Sequence, residues 1–202
     1  EHGNANIIMG RVLKGIFDRT PFGIISLAGG LKDNAIPREC ISDILVPAEN
    51  VGAVKEYVNE MDGILKNEFM SSDPAVTVVL TEGGEFEDIV SKQVLSFTSL
   101  TKVIFYLRNV PNGVQNMSQV MHGLVETSLN LGIMELFEDH LHTVSSVRSS
   151  VGTRKTELCE RVDTVVEMVG GETEIEGAYP AWEYRKDSEL RMQIAKVYEE
   201  LY

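Results

Sequence analysis

Asn34 stands inside a short run, Gly29-Gly30-Leu31-Lys32-Asp33-Asn34-Ala35-Ile36-Pro37-Arg38-Glu39, between two apolar stretches. A loop built only to turn needs a Gly or a Pro, seldom both with an Asn held between them. Such a loop holds one side-chain amide, with donors and an acceptor, at the end of a sheet. That is a way to grip a small polar ligand. An ordinary strand connection accounts for the same residues, and both readings stand at this point. Arg148 is the second candidate. It closes a β-rich run of Thr143, Val144, Ser145, Ser146 and Val147. A guanidinium at a strand end offers a planar fork to a carboxylate; a cross-strand or surface ion pair would use it equally well. An amide and a guanidinium that converge suit the carboxylate of a peptide or amino acid. They hydrolyse nothing by themselves, because no nucleophile, base or metal accompanies them.

The remaining reactive residues form no recognisable machinery. His140 and His142 alternate along a strand beside a turn, but a metal site needs a third and fourth ligand. His122 follows a Met-containing segment, and His2 lies at the chain end. Cys40 and Cys159 are far apart and read as small core residues, with no zinc spacing and no disulfide framework. No HExxH, CxxC, P-loop or GxSxG pattern occurs. We therefore expect no catalytic residue and no metal ligand in this stretch.

The elements that must position Asn34 and Arg148 follow from periodicity. Asn4 caps a helix carrying Ile8, Val12, Leu13 and Ile16, and Thr20-Pro21-Phe22-Gly23 ends it. Strands are predicted over 24–28 and 39–46, followed by an amphipathic helix with Val51, Val54, Val58, Met61 and Leu65. A β-rich strand over 75–80, ended by Gly83-Gly84, closes this part or opens the next. The second part carries a helical pattern over about 86–108, including Ile89, Leu95, Leu100, Val103, Ile104 and Leu107. Next come a strand over 124–137, a turn at Glu138-Asp139, a hairpin partner over 141–149 and a helix over about 153–169. Gly170-Gly171 stops that helix, and a last strand is predicted over 172–178. The order helix-strand-strand-helix-strand thus occurs twice, offset by roughly 100 residues. It predicts an α/β (α+β) two-layer sandwich: a mostly antiparallel sheet with helices on one face, built from two related α-β-β-α-β halves, about 1–84 and 85–178. Residues 179–202 differ. A Pro-broken aromatic segment precedes a helix capped by Ser188, whose stripe of Leu190, Ile194, Val197 and Leu201 needs a partner.

Composition bounds the possibilities. The 202 residues are 43% hydrophobic and 24% charged, enough for a sizeable core. The net charge of -13 carries no basic cluster, which argues against nucleic acid and anionic membrane as partners. No apolar run approaches a membrane span. A cytoplasmic setting is expected. The chain starts with Glu almost inside a helix, and we expect it to be excised from something longer.

The ordered segments Gly3-Asn4-Ala5-Asn6, Gly29 to Glu39, Pro111-Asn112-Gly113-Val114, Val125 to Gly132, Val147-Arg148-Ser149-Ser150 and Gly177-Ala178-Tyr179-Pro180-Ala181-Trp182 resemble successive motifs of the bacterial aminoacyl-histidine dipeptidases. These are cytosolic two-zinc metallopeptidases, related to the carnosinases, that cleave Xaa-His dipeptides. The likeness runs from residue 3 to residue 182. In that family a lid domain is inserted into a catalytic domain that carries the zinc ligands and the general-base Glu. The resemblance implies that residues 1–178 are the lid and that 179–202 return toward the catalytic domain. It implies that Asn34 and Arg148 bind substrate, the Arg at its carboxylate, and that the zinc ligands lie elsewhere. The family's lid His belongs to a Gly-Gly-His-Ser-Gly motif placed just upstream of residue 1, so His2 is not put in its place. A homodimer is a further expectation. Read without the family, the same duplicated domain fits a non-enzymatic amino-acid-binding or dimerisation module.

Overall fold

The structure is a computed structural model that describes residues 2–83, 93–185 and 187–202. Its elements run α1 (Ala5–Phe17), β1 (Gly23–Gly29), β2 (Cys40–Leu45), α2 (Val51–Glu68), α3 (Phe97–Asn109), β3 (Gly113–Met117), β4 (Val125–Leu136), β5 (Leu141–Ser149), α4 (Gly152–Met168) and α5 (Glu189–Leu201). Among the described residues the strands form one five-stranded antiparallel sheet, and the fold is the expected α+β two-layer arrangement.

β4 is the axis of the sheet because it is long enough to serve three neighbours. Along one edge it pairs with β5 from Thr127↔Ser149 to Leu136↔Leu141. The other edge is shared end to end. β3 takes the first part, from Met117↔Val125 to Gly113↔Leu129. β1 takes the last part, through only Ala28↔Glu135 and Gly29↔Met134. β2 then pairs with the far edge of β1. Between β3 and β1 the edge of β4 has no strand beside it around Leu131, and backbone groups there must be satisfied otherwise.

Side-chain alternation divides the sheet into two faces. Leu129, Leu131 and Met134 of β4, with Ile24 and Leu27 of β1, point into the core. There α1 and α3 cover them through Leu13, Leu100, Val103, Ile104 and Leu107. A second cluster forms where α2 packs on α1, through Val54, Val58, Met61 and Leu65 against Val12 and Ile16. Each of these side chains is at least nine-tenths buried, a burial worth about 2 kcal/mol per aliphatic side chain. The opposite face carries Ser128, Asn130, Ser146 and Arg148, paired across β4 and β5 as Ser128↔Arg148 and Asn130↔Ser146.

Several local expectations change. Helix α3 begins at Phe97 with Ser96 as its cap, and Leu95 instead donates its backbone N–H to Ile24 of β1. The earlier part of that expected helix, with Ile89, lies outside the described residues, as does Gly84. β3 follows Pro111-Asn112 directly, where only a helix stop was expected. Residues 76–80 form no ladder among the described residues. Val76, Val78 and Leu80 pack on the α1–α2 cluster, and the Asp62 carboxylate accepts from Val78 N (2.9 Å) and Thr77 Oγ1 (2.8 Å). Helix contacts thus take the place of strand contacts. Residues 172–178 are likewise neither helix nor ladder strand. The strand predicted to end each half thus has no ladder partner among the described residues. α5 forms as expected behind the Ser188 cap, and Leu190, Ile194, Val197 and Leu201 are all more than half exposed. Among the described residues, no helix is long and apolar enough to cross a membrane.

Candidate functional site

The sheet gap at Leu131 is closed by asparagine side chains. Asn4 ends the chain segment before α1, and its Oδ1 caps the helix by accepting from Asn6 N (3.0 Å) and Ile7 N (3.2 Å). Its Nδ2 faces the sheet and donates to Leu131 O (3.1 Å), Asn130 Oδ1 (2.9 Å) and Asn112 Oδ1 (3.1 Å). Asn112 Oδ1 also accepts from Leu131 N (3.0 Å). Asn6 Nδ2 bridges Leu131 O (3.2 Å) and Gly29 O (3.4 Å), joining β4 to β1 where their ladder is shortest. Both backbone groups of Leu131 are thereby bonded without a neighbouring strand. Asn4 and Asn6 are 6% and 0% exposed, a depth at which an unpaired polar atom is costly, and Asn6 Oδ1 is a buried side-chain atom without a partner among the described residues.

The β1–β2 loop folds over this gap. Gly30 has φ +78, the left-handed region, and a Cβ there would meet Gly132 O at 1.8 Å. A Cβ on Gly132 would in turn meet Asp33 O at 2.2 Å. Gly30 and Gly132 are thus required for the loop to lie directly on β4, at the register shift between Leu131 and Ile133. Ala5 N donates to Pro37 O (3.1 Å), Gly30 N to Glu39 O (3.3 Å), and Asn130 Nδ2 to Ala35 O (2.6 Å).

The result is an open cleft of about 190 Å³, walled by this loop and floored by the uncovered sheet face. Asn34 and Arg148 both line it, with Ser128, Ser146 and Asn130 between them. Asn34 and Arg148 are exposed, and among the described residues neither side chain has a hydrogen-bond or ion-pair partner. Arg148 is therefore not in the surface ion pair that would have been its ordinary use. Nearby, Arg154 has taken such a partner, with Nε 3.0 Å from Glu126 Oε1. His2 also lines the cleft, a residue the sequence reading set aside, with Nδ1 3.9 Å from Asp73 Oδ2. Sequence reasoning took Asn4 for a helix cap only and did not single out Asn112 and Asn130. Their signal was present, because each lies in one of the ordered segments, but the sheet gap they fill is visible only in three dimensions.

The other candidates lie apart. His140 follows the β4–β5 turn, bonded to Asp139 Oδ1 (2.6 Å) and stacked on Phe137. His142 is exposed opposite Glu135. Burial pushes the Cys40 thiol up to about 12, so it is not a ready thiolate. Among the described residues, no three His, Cys, Asp or Glu side chains converge as a metal site. The chemistry offered by the cleft is recognition: a charged fork and a free amide for a carboxylate and a polar backbone group.

No protein-family model matches the chain. The cytosol non-specific dipeptidase of Escherichia coli (strain K12) is 32% identical to it over 200 residues, covering 99% of this chain and 40% of that protein. The crystal structure of the aminoacylhistidine dipeptidase from Vibrio alginolyticus superposes with a TM-score of 0.88 at 32% identity, again over 99% of this chain and 40% of that one. The chain is homologous to these dipeptidases and spans about two fifths of their length.

Proposed function

We propose that this chain is the substrate-gripping lid of a metallo-dipeptidase that hydrolyses Xaa-His dipeptides in the cytoplasm. Residues 1–178 form the lid, in two halves that meet near 84 and 85, and 179–202 lead back to the catalytic domain. The observation that carries this reading is the shared cleft. Asn34 and Arg148, far apart in sequence, line one wall-and-floor site and are both without partners among the described residues. Arg148 takes the substrate carboxylate by a two-pronged charged hydrogen bond, and Asn34 takes a polar group of the dipeptide. The lid itself does not cleave the peptide. It positions the dipeptide and excludes water when closed over a catalytic centre in another domain. The described residues offer no metal-binding cluster, so the two zinc ions that the resemblance implies would be held by residues of that domain. The exposed stripe on α5 supports a neighbouring domain, because an isolated amphipathic helix gains little from its apolar face in water. Self-association through the lid is part of the same proposal.

The test is hydrolysis of Xaa-His dipeptides such as carnosine by the full-length protein loaded with zinc. Histidine release that falls sharply in Arg148→Ala supports the lid. Calorimetry of the chain alone against free histidine and dipeptides tests the rival. Micromolar binding without a catalytic partner would overturn the lid and favour an amino-acid-binding module.

A further inference from the structure

Asn34 has no hydrogen bond of its own to hold it, yet its loop is pinned immediately on both sides. Asn130 Nδ2 donates to Ala35 O at 2.6 Å and reaches Asp33 O at 3.5 Å, the carbonyls flanking Asn34. Asn130 is able to do this in only one orientation of its amide. Its Oδ1 is taken by Asn4 Nδ2 at 2.9 Å, which leaves its nitrogen facing the loop. Asn4 is itself oriented by its Oδ1, committed to the first N–H groups of α1, so its nitrogen must face the sheet. One direction of donation therefore runs from the helix cap, through Asn4 and Asn130, to the backbone around Asn34. The arrangement is stereochemically one-way, since reversing either amide would set two donors or two acceptors against each other.

We infer that Asn130, oriented by Asn4, is a positioning residue that sets Asn34 relative to Arg148. Asn130 lies on β4 beside Ser128, whose strand partner is Arg148, so the clamp and the guanidinium share one rigid pair of strands. The loop that carries Asn34 is thus referenced to the strands that carry Arg148. This rests on the lid reading for its catalytic consequence, but the clamp itself is a property of the chain.

The discriminating substitution is Asn130→Asp in the full-length protein. A carboxylate of the same shape still accepts from Asn4 but cannot donate to Ala35 O, and repels it. We expect the loop-bonded amides of Gly30, Ala35 and Ala5 to exchange at least about tenfold faster, with those of the rest of α1, β4 and β5 unchanged. We expect kcat/KM on an Xaa-His dipeptide to fall about fivefold, the worth of one neutral hydrogen bond. Asn34→Ala should add little on top, because the two residues act as one unit. Unchanged exchange in the loop overturns the inference, as do losses from Asn34→Ala and Asn130→Asp that simply multiply. Should Asn130→Asp fail to fold, Asn130→Ala gives the same readings. If the wild-type protein cleaves no dipeptide, the lid reading fails, and loop exchange alone decides the clamp.

Discussion

Two groups of polar side chains lie within one region of this molecule and are treated in opposite ways. Asn4, Asn6, Asn112 and Asn130 are each tied into the sheet by side-chain hydrogen bonds, although Asn6 Oδ1 is buried without a partner among the described residues. Asn34 and Arg148, on the cleft wall and floor, have no partners among the described residues. Both groups contain amides, so residue chemistry does not separate them. Position does. A polar group beside a sheet gap replaces a missing strand, because buried backbone groups must be bonded. A polar group on the uncovered face is free to bond something from outside. The bonded group should show its worth in stability, and the idle pair should show it in binding.

The largest effect is expected from breaking the bonded group. Asn4→Ala removes a helix cap worth about 1 kcal/mol and strips hydrogen bonds from Leu131 O, Asn112 and Asn130. Together these should lower stability by about 3 kcal/mol in denaturant unfolding. Arg148→Ala should leave unfolding within about 0.5 kcal/mol of the parent, as expected of a surface residue without partners. It should nonetheless reduce kcat/KM of the full-length protein by about 2 kcal/mol, on the order of 30-fold. A stability loss there with unchanged kinetics would reverse the assignment of Arg148. Asn34→Ala should follow the same pattern at about 1 kcal/mol, near fivefold in kcat/KM.

The smallest effect concerns Asp62, a carboxylate used structurally. Lys66, the backbone N–H of Val78 and Thr77 hold its pKa down to about 2, against an ordinary 3.8. Its contribution is therefore complete above about pH 4 and is lost as pH falls toward 2. Protease cleavage near 76–80 should rise between pH 4 and pH 2, read with an acid-stable protease. Asp62→Asn should raise cleavage at pH 4 and remove most of that pH dependence. Equal pH dependence in parent and variant would show that Asp62 does not anchor the segment.

Much of the fold was legible because helices and central strands announce themselves by period. The hairpin over Leu141 to Ser149, the helix over 153–169 and the antiparallel layering all follow from alternation and helical spacing. The segments at 75–80 and 172–178 form no ladder among the described residues, because β-rich composition predicts a strand-forming tendency and not a partner for it. β3 was missed because its five residues, Gly113 to Met117, contain a Gly, a Gln and an Asn. It is a strand because β4 offers it an edge. Asn34 and Arg148 were visible from residue type and local setting alone. Asn112 and Asn130 lie in the ordered segments, but the role of these half-buried amides shows only beside the gap they fill.

The sequence by itself determined the helices, the strands β1, β2, β4 and β5, and two side chains whose chemistry suits a carboxylate, because these depend on local spacing and residue chemistry. Only the tertiary structure decided that these two side chains share a cleft, and that four asparagines close the sheet beneath it. Those facts depend on which strands lie next to β4. Such pairings join residues more than a hundred positions apart, beyond the reach of any local pattern.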